Sequence, residues 1–121
     1  MAFTEKMATR TSISGSAIAQ FTFVVLASDG QVDNASANVR ADGVALMSAA
    51  AAGEAITVAY DGRVTVLAGG TITRGAAVAV GTSGKAKAAA STNIIVGYAL
   101  EAGVDGQVIT VELSRADKAA A

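Results

Sequence analysis

The chain has 121 residues, nine basic and ten acidic side chains, a formal net charge of −1, and no His, Cys, Trp or Pro. Without His or Cys, neither a Ser-His-Asp nor a Cys-His nucleophile can be assembled, and zinc or copper loses its usual ligands. Charges scattered singly leave no basic stripe to follow a phosphate backbone, and no apolar run approaches the roughly 20 residues of a membrane helix. The composition therefore predicts one domain that is not an enzyme, with no cofactor, no metal, no nucleic acid, no membrane and no small-molecule substrate. The lack of Cys fits synthesis in a reducing cytosol.

The apolar content is slight in kind. There are 29 Ala against 26 Val, Leu and Ile together, and only five aromatic residues. A buried Ala gives up about one methyl group, roughly 0.8 kcal/mol, where a buried Leu or Phe contributes about 1.5–3 kcal/mol. Small side chains leave smooth apolar faces suited to another subunit, which is an argument for oligomerisation.

In chain order, residues 1–17 are polar, rich in Ser and Thr, and without helical or strand periodicity. They read as an extended N-terminal arm, either disordered by itself or laid on a neighbour. The first strand is expected over residues 19–26, where Phe21, Phe23 and Val25 share a face by period-two alternation. Four Asp-Gly pairs follow at 29–30, 42–43, 61–62 and 105–106, each a preferred centre for a tight turn because both residues tolerate positive φ. The clearest hairpin on this basis joins Ala55–Tyr60 to Arg63–Leu67 through Asp61-Gly62. Between them, Met47–Ala52 has helix propensity but is too short to hold a helix without packing, and it reads as a loop.

Further strands are expected at Thr71–Thr73 and Ala77–Val80, then a hairpin through Gly81–Gly84 into Lys85–Ala88, then Ile94–Glu101 and Gln107–Leu113. The last pair echoes an earlier one. Gly43-Val-Ala-Leu46 … Gly53-Glu-Ala-Ile-Thr-Val58 recurs as Gly97-Tyr-Ala-Leu100 … Gly106-Gln-Val-Ile-Thr-Val111, so one β-unit is used twice. Short strands with turn signals every eight to twelve residues predict an all-β fold: a small β-barrel or sandwich over 18–114, with a polar, Ala-rich tail at 115–121.

Sites of chemistry are few. The acids fall in turns (Asp29, Asp42, Asp61, Asp105) or at strand edges (Glu54, Glu101, Glu112), where solvated or turn-forming roles suffice. Asp29–Asn34 lacks the spacing of a calcium loop, and Gly81–Ala86 lacks the length, hydroxyl and helix of a phosphate loop. Lys85 and Lys87 lack the neighbours of a lipoyl or biotinyl acceptor. Asn34-Ala-Ser36 fits the glycosylation tripeptide with nothing to signal secretion. Tyr60 and Tyr98 lie at apolar strand positions and read as core or subunit contact.

The order of these weak motifs resembles a family. Gly43-Val-Ala-Leu, the Ala-rich loop, Gly53-Glu-Ala-Ile-Thr-Val and Asp61-Gly-Arg-Val-Thr-Val are followed by Ile72-Thr-Arg-Gly75-Ala-Ala-Val-Ala-Val-Gly81, Gly84-Lys85-Ala and Asn93–Ala102. Over residues 38–114 this is similar to the small decoration, or cement, proteins of tailed-bacteriophage capsids. The resemblance implies a β-barrel that assembles as a homotrimer on the capsid exterior and bridges major capsid protein subunits, after synthesis in the host bacterial cytoplasm. An alternative is a ligand- or host-surface-binding β-module displayed on a virion. On the cement reading, the capsid and intersubunit contacts fall to the arm and first strand: Phe3, Thr4, Lys6, Met7, Arg10, Ile13, Phe21 and Phe23.

Overall fold

The computed structural model describes residues 9–27, 30–37, 40–60, 62–90 and 93–113. Ten strands form in chain order: β1 (Thr9–Ile13), β2 (Phe23–Leu26), β3 (Val32–Asn34), β4 (Gly43–Ala45), β5 (Ala55–Ala59), β6 (Arg63–Leu67), β7 (Ala77–Val80), β8 (Ala86–Ala88), β9 (Gly97–Ala99) and β10 (Val108–Leu113). They build two antiparallel five-stranded sheets, ordered β1-β5-β4-β2-β3 and β6-β10-β9-β7-β8. Adding five to each label of the first order gives the second. The repeat seen in sequence at β4–β5 and β9–β10 thus extends over both sheets.

The correspondence holds bond by bond. Gly15 N donates to Val32 O and Gly69 N to Ala86 O, both at 2.7 Å. Ile18 and Ala49 exchange hydrogen bonds, as Ile72 and Gly103 do. A glycine stands at the same place in each central ladder for the same steric reason. A Cβ on Gly43 would lie 2.5 Å from Ala59 O and 2.9 Å from Val58 Cγ1; one on Gly97 would lie 2.5 Å from Glu112 O and 2.9 Å from Val111 Cγ1.

Each sheet buries the alternate residues of its strands. Ile18, Val24, Val32, Ala45, Ile56 and Val58 make a core inside the first sheet, with Tyr60 packed on it. Ile72, Val78, Ala86, Ala99, Ile109 and Val111 do the same in the second. The second core is the larger because Phe23, Val44 and Ala59, from the opposite face of the first sheet, join it. The two repeats are held together there. Each sheet's outer strands also meet at a single parallel bridge, Ser14 with Val32 and Ala68 with Ala86. One bridge is not a ladder, so the fold is a pair of packed sheets rather than a closed barrel.

Several expectations are corrected. Asp61-Gly62 does not close a hairpin: β5 pairs with β1 and β4, whereas β6 pairs with β10 in the other sheet. The turn signal reports chain reversal and says nothing about which strands then bond. Gly62, at φ 96°, carries the chain from one sheet to the other, and Asp61 lies outside the described residues. Phe21 is not in a strand; it sits in a turn at φ 64°, ahead of β2. Within the segment read as an arm, Thr9–Ile13 is β1, paired along its whole length with β5. Its run of Thr and Ser hid the alternation, although β-branched Thr suits a strand. Residues 1–8 and the 115–121 tail lie outside the described residues. Thr71–Thr73 contributes only the bridge from Ile72 to Gly103. The Gly81–Gly84 and Glu101–Gln107 turns do join β7 to β8 and β9 to β10, and Met47–Ala52 is a loop as expected.

Candidate contact surfaces

Among the described residues no group of three or more His, Cys, Asp or Glu could hold a metal ion. Acidic side chains near the strands serve backbone donors instead. Asp42 Oδ2 accepts the Leu26 N–H at 2.7 Å, and Glu101 Oε2 accepts the Thr110 N–H at 3.0 Å. What the molecule presents is surface. Ile13 (41% exposed), Leu26 (52%), Met47 (47%), Tyr98 (46%), Val104 (52%) and Val108 (45%) are its large exposed apolar side chains among the described residues.

The repeat explains where three of these, Ile13, Leu26 and Tyr98, stand. In the first sheet Phe23, Val44 and Ala59 lie directly opposite one another across β2, β4 and β5, and all three are fully buried against the second repeat. Their counterparts across β7, β9 and β10 are Ala77, Tyr98 and Glu112, in the same register. Ala77 is half-buried, and Tyr98 and Glu112 are exposed. The same face of the same sheet is an interface in one repeat and open in the other.

The reverse holds for the surface that covers the first sheet. The β7–β8 turn presses on it: a Cβ on Gly84 would meet Asn34 Oδ1 at 2.5 Å, Phe23 O at 2.9 Å and Thr22 Cβ at 3.3 Å. The Leu67 N–H donates to Phe21 O at 2.7 Å, and Val80 is fully buried. The counterparts are Gly30, with nothing within 4 Å of a Cβ, and exposed Ile13 and Leu26.

Phe21 marks this junction. It occupies the place that Gly75 holds in the second repeat, and each donates its N–H to the matching carbonyl, Ala45 or Ala99, at 2.7 and 2.8 Å. Gly75 adopts φ 85° freely, whereas a left-handed L-residue costs about 1–2 kcal/mol. Phe21 accepts that conformation beside the Leu67 contact that joins the repeats.

Of the residues expected to make external contacts, Phe3, Thr4, Lys6 and Met7 lie outside the described residues. Arg10 stands opposite Val58 in the β1–β5 ladder, and Ile13 stands opposite Ala55, exposed. Phe21 is half-buried at the junction of the repeats, and Phe23 is fully buried in the core, without surface to offer a partner. Tyr60 serves the core, its Oη 3.2 Å from Ser12 Oγ. Leu26, Val104 and Val108 were not singled out from sequence. Leu26 is told apart from its counterpart Val80, equally apolar in sequence, only by burial at the matched position.

A family model described as phage cement protein matches residues 4–114. The chain belongs to the phage cement protein family. This cement protein is also similar in fold to a solved structure, the head fiber gp8.5 N base in bacteriophage phi29. The two are 24% identical, the match covers 93% of this chain and 98% of that one, and the TM-score is 0.75. No curated protein sequence matches. The family makes the cement protein a structural component associated with the phage head.

Proposed function

We propose that this protein binds the outer surface of a bacteriophage head, bridges major capsid protein subunits, and does so as a homotrimer made in the bacterial cytoplasm. The family match over residues 4–114 carries the reading. The described residues support it with a two-sheet body whose exposed apolar groups lie on strand faces and turns. The function is mechanical: many modest contacts, each contributing little, act together once several copies are linked, so that avidity replaces any single strong site. Residues 1–8, with Phe3, Thr4, Lys6 and Met7, together with Arg10 and Ile13 of β1, are the proposed contacts with the shell and with neighbouring subunits.

Co-sedimentation with expanded, undecorated heads tests this. Saturable binding at a fixed ratio to the major capsid protein, with a rise in the temperature or osmotic stress at which heads burst, is expected. Binding to host cells or to soluble glycans, and none to heads, would overturn it in favour of a displayed recognition module.

A further inference from the structure

The two repeats pack head to tail rather than face to face. Within the chain, the outer face of the first sheet (Phe23, Val44, Ala59) is the acceptor, and the β7–β8 turn with Leu67 and Val80 is the donor. An arrangement of that kind leaves one acceptor and one donor unused. The unused acceptor is the face of Ala77, Tyr98 and Glu112; the unused donor is Ile13, Leu26 and the turn at Gly30.

We propose that these two surfaces bind each other in different copies of the chain, so that the contact joining the repeats inside one molecule is repeated between molecules. The proposal rests on the self-assembly reading above and assigns it a surface. A second copy is the occupant because only another copy carries the matching donor, and its docking mode is already drawn inside each chain. Among the described residues, three of the six large exposed apolar side chains, Ile13, Leu26 and Tyr98, fall on the two unused surfaces. Leu26 is 52% exposed where its counterpart Val80 is fully buried, the difference expected of a residue whose cover is supplied by another molecule. Tyr98 stands at the centre of the open row, where the first repeat has Val44; a half-exposed Tyr offers a large apolar body and a polar tip, the combination enriched at subunit contacts. A contact between unlike surfaces is heterologous, and it closes into a ring when the rotation per subunit permits.

The native chain has no Cys, which allows a clean cross-linking test. Leu67 meets Phe21 within the chain, so their counterparts Ile13 and Gly75 should meet between chains. Ile13→Cys and Arg74→Cys are made in separate chains, mixed, and treated with a short bismaleimide. A covalent dimer is expected in the mixture and not in either variant alone. Adding Tyr98→Glu, which sets a second carboxylate beside Glu112, should abolish that dimer and reduce the light-scattering mass of the protein to that of one chain. The urea midpoint measured at high dilution should stay unchanged, since Tyr98 is exposed and outside the core. A wild-type protein of single-chain mass at the highest accessible concentration would overturn the proposal. So would cross-linking no better in the mixture than in the single variants, or a mass indifferent to Tyr98→Glu. Self-association that survives while head binding is absent would refute the proposed function and leave this contact standing.

Discussion

Replacing Gly97 by Ala isolates the steric demand of the central ladder from the ordinary benefit of removing a glycine. The added methyl would stand 2.5 Å from Glu112 O and 2.9 Å from Val111 Cγ1, on a neighbouring strand that cannot yield without parting β9 from β10. Overpacking of this kind costs about 1–3 kcal/mol. Against it stands the loss of glycine's excess unfolded-state entropy, roughly 0.5–1 kcal/mol in favour of Ala. The net expectation is destabilisation by about 0–2.5 kcal/mol. Gly70→Ala is the control: nothing lies within 4 Å of its Cβ, and its φ is outside the left-handed region. There the entropic gain acts alone, and stabilisation by about 0.4–1 kcal/mol follows. Urea unfolding followed by far-UV circular dichroism, with all variants at one low concentration so that assembly does not enter the midpoint, reads both. Gly43→Ala should behave like Gly97→Ala, because its Cβ would meet the same pair of atoms on β5. If Gly97→Ala and Gly43→Ala matched the Gly70 control, close approach would not be what keeps glycine at these positions.

Phe23→Ala empties a fully buried position between the repeats and should cost about 3–5 kcal/mol in the same unfolding measurement. Ser14 is fully buried, its Oγ donating to Ala51 O at 2.8 Å and accepting the Glu54 N–H at 3.1 Å; Ser14→Ala should cost about 1–3 kcal/mol by removing both bonds. Gly75→Ala meets no atom within 4 Å yet imposes φ 85° on an L-residue, so a loss of about 1–2 kcal/mol is expected from backbone strain alone. Deleting residues 2–8 should weaken co-sedimentation with heads; unchanged sedimentation would remove those residues from the contact surface.

The all-β class, most of the turns and the β4–β5 and β9–β10 echo were legible because glycine positions and alternation survive in both copies. The other half of the repeat was not. Phe23 answers to Ala77, Ser14 to Ala68, Val32 to Ala86 and Phe21 to Gly75, so equal backbone positions carry unlike side chains. For Phe23 and Ala77 the reason is the unsymmetrical packing, since a face that fills a core in one repeat is open in the other; Ser14, Ala68, Val32 and Ala86 are buried in both, and that asymmetry does not explain their difference. The same asymmetry conceals the contact surfaces, which become visible only when burial is compared between matched positions. The Asp61-Gly62 misreading has a related origin. Alternation on both flanks records that each strand buries one face, and it is silent on whether the two faces belong to one sheet.

Thr9 stands opposite Ala59, and the Leu113 N–H donates to Gly62 O at 2.9 Å, so the chain enters and leaves its two-sheet body beside the crossover that divides it. Cargo attached at Thr9 or at Leu113 would leave the two-sheet body from one and the same pole. Joining Thr9 to Leu113 by a flexible tether and reopening the backbone at the Val104–Gln107 turn would give a permuted version displaying its cargo from the far side.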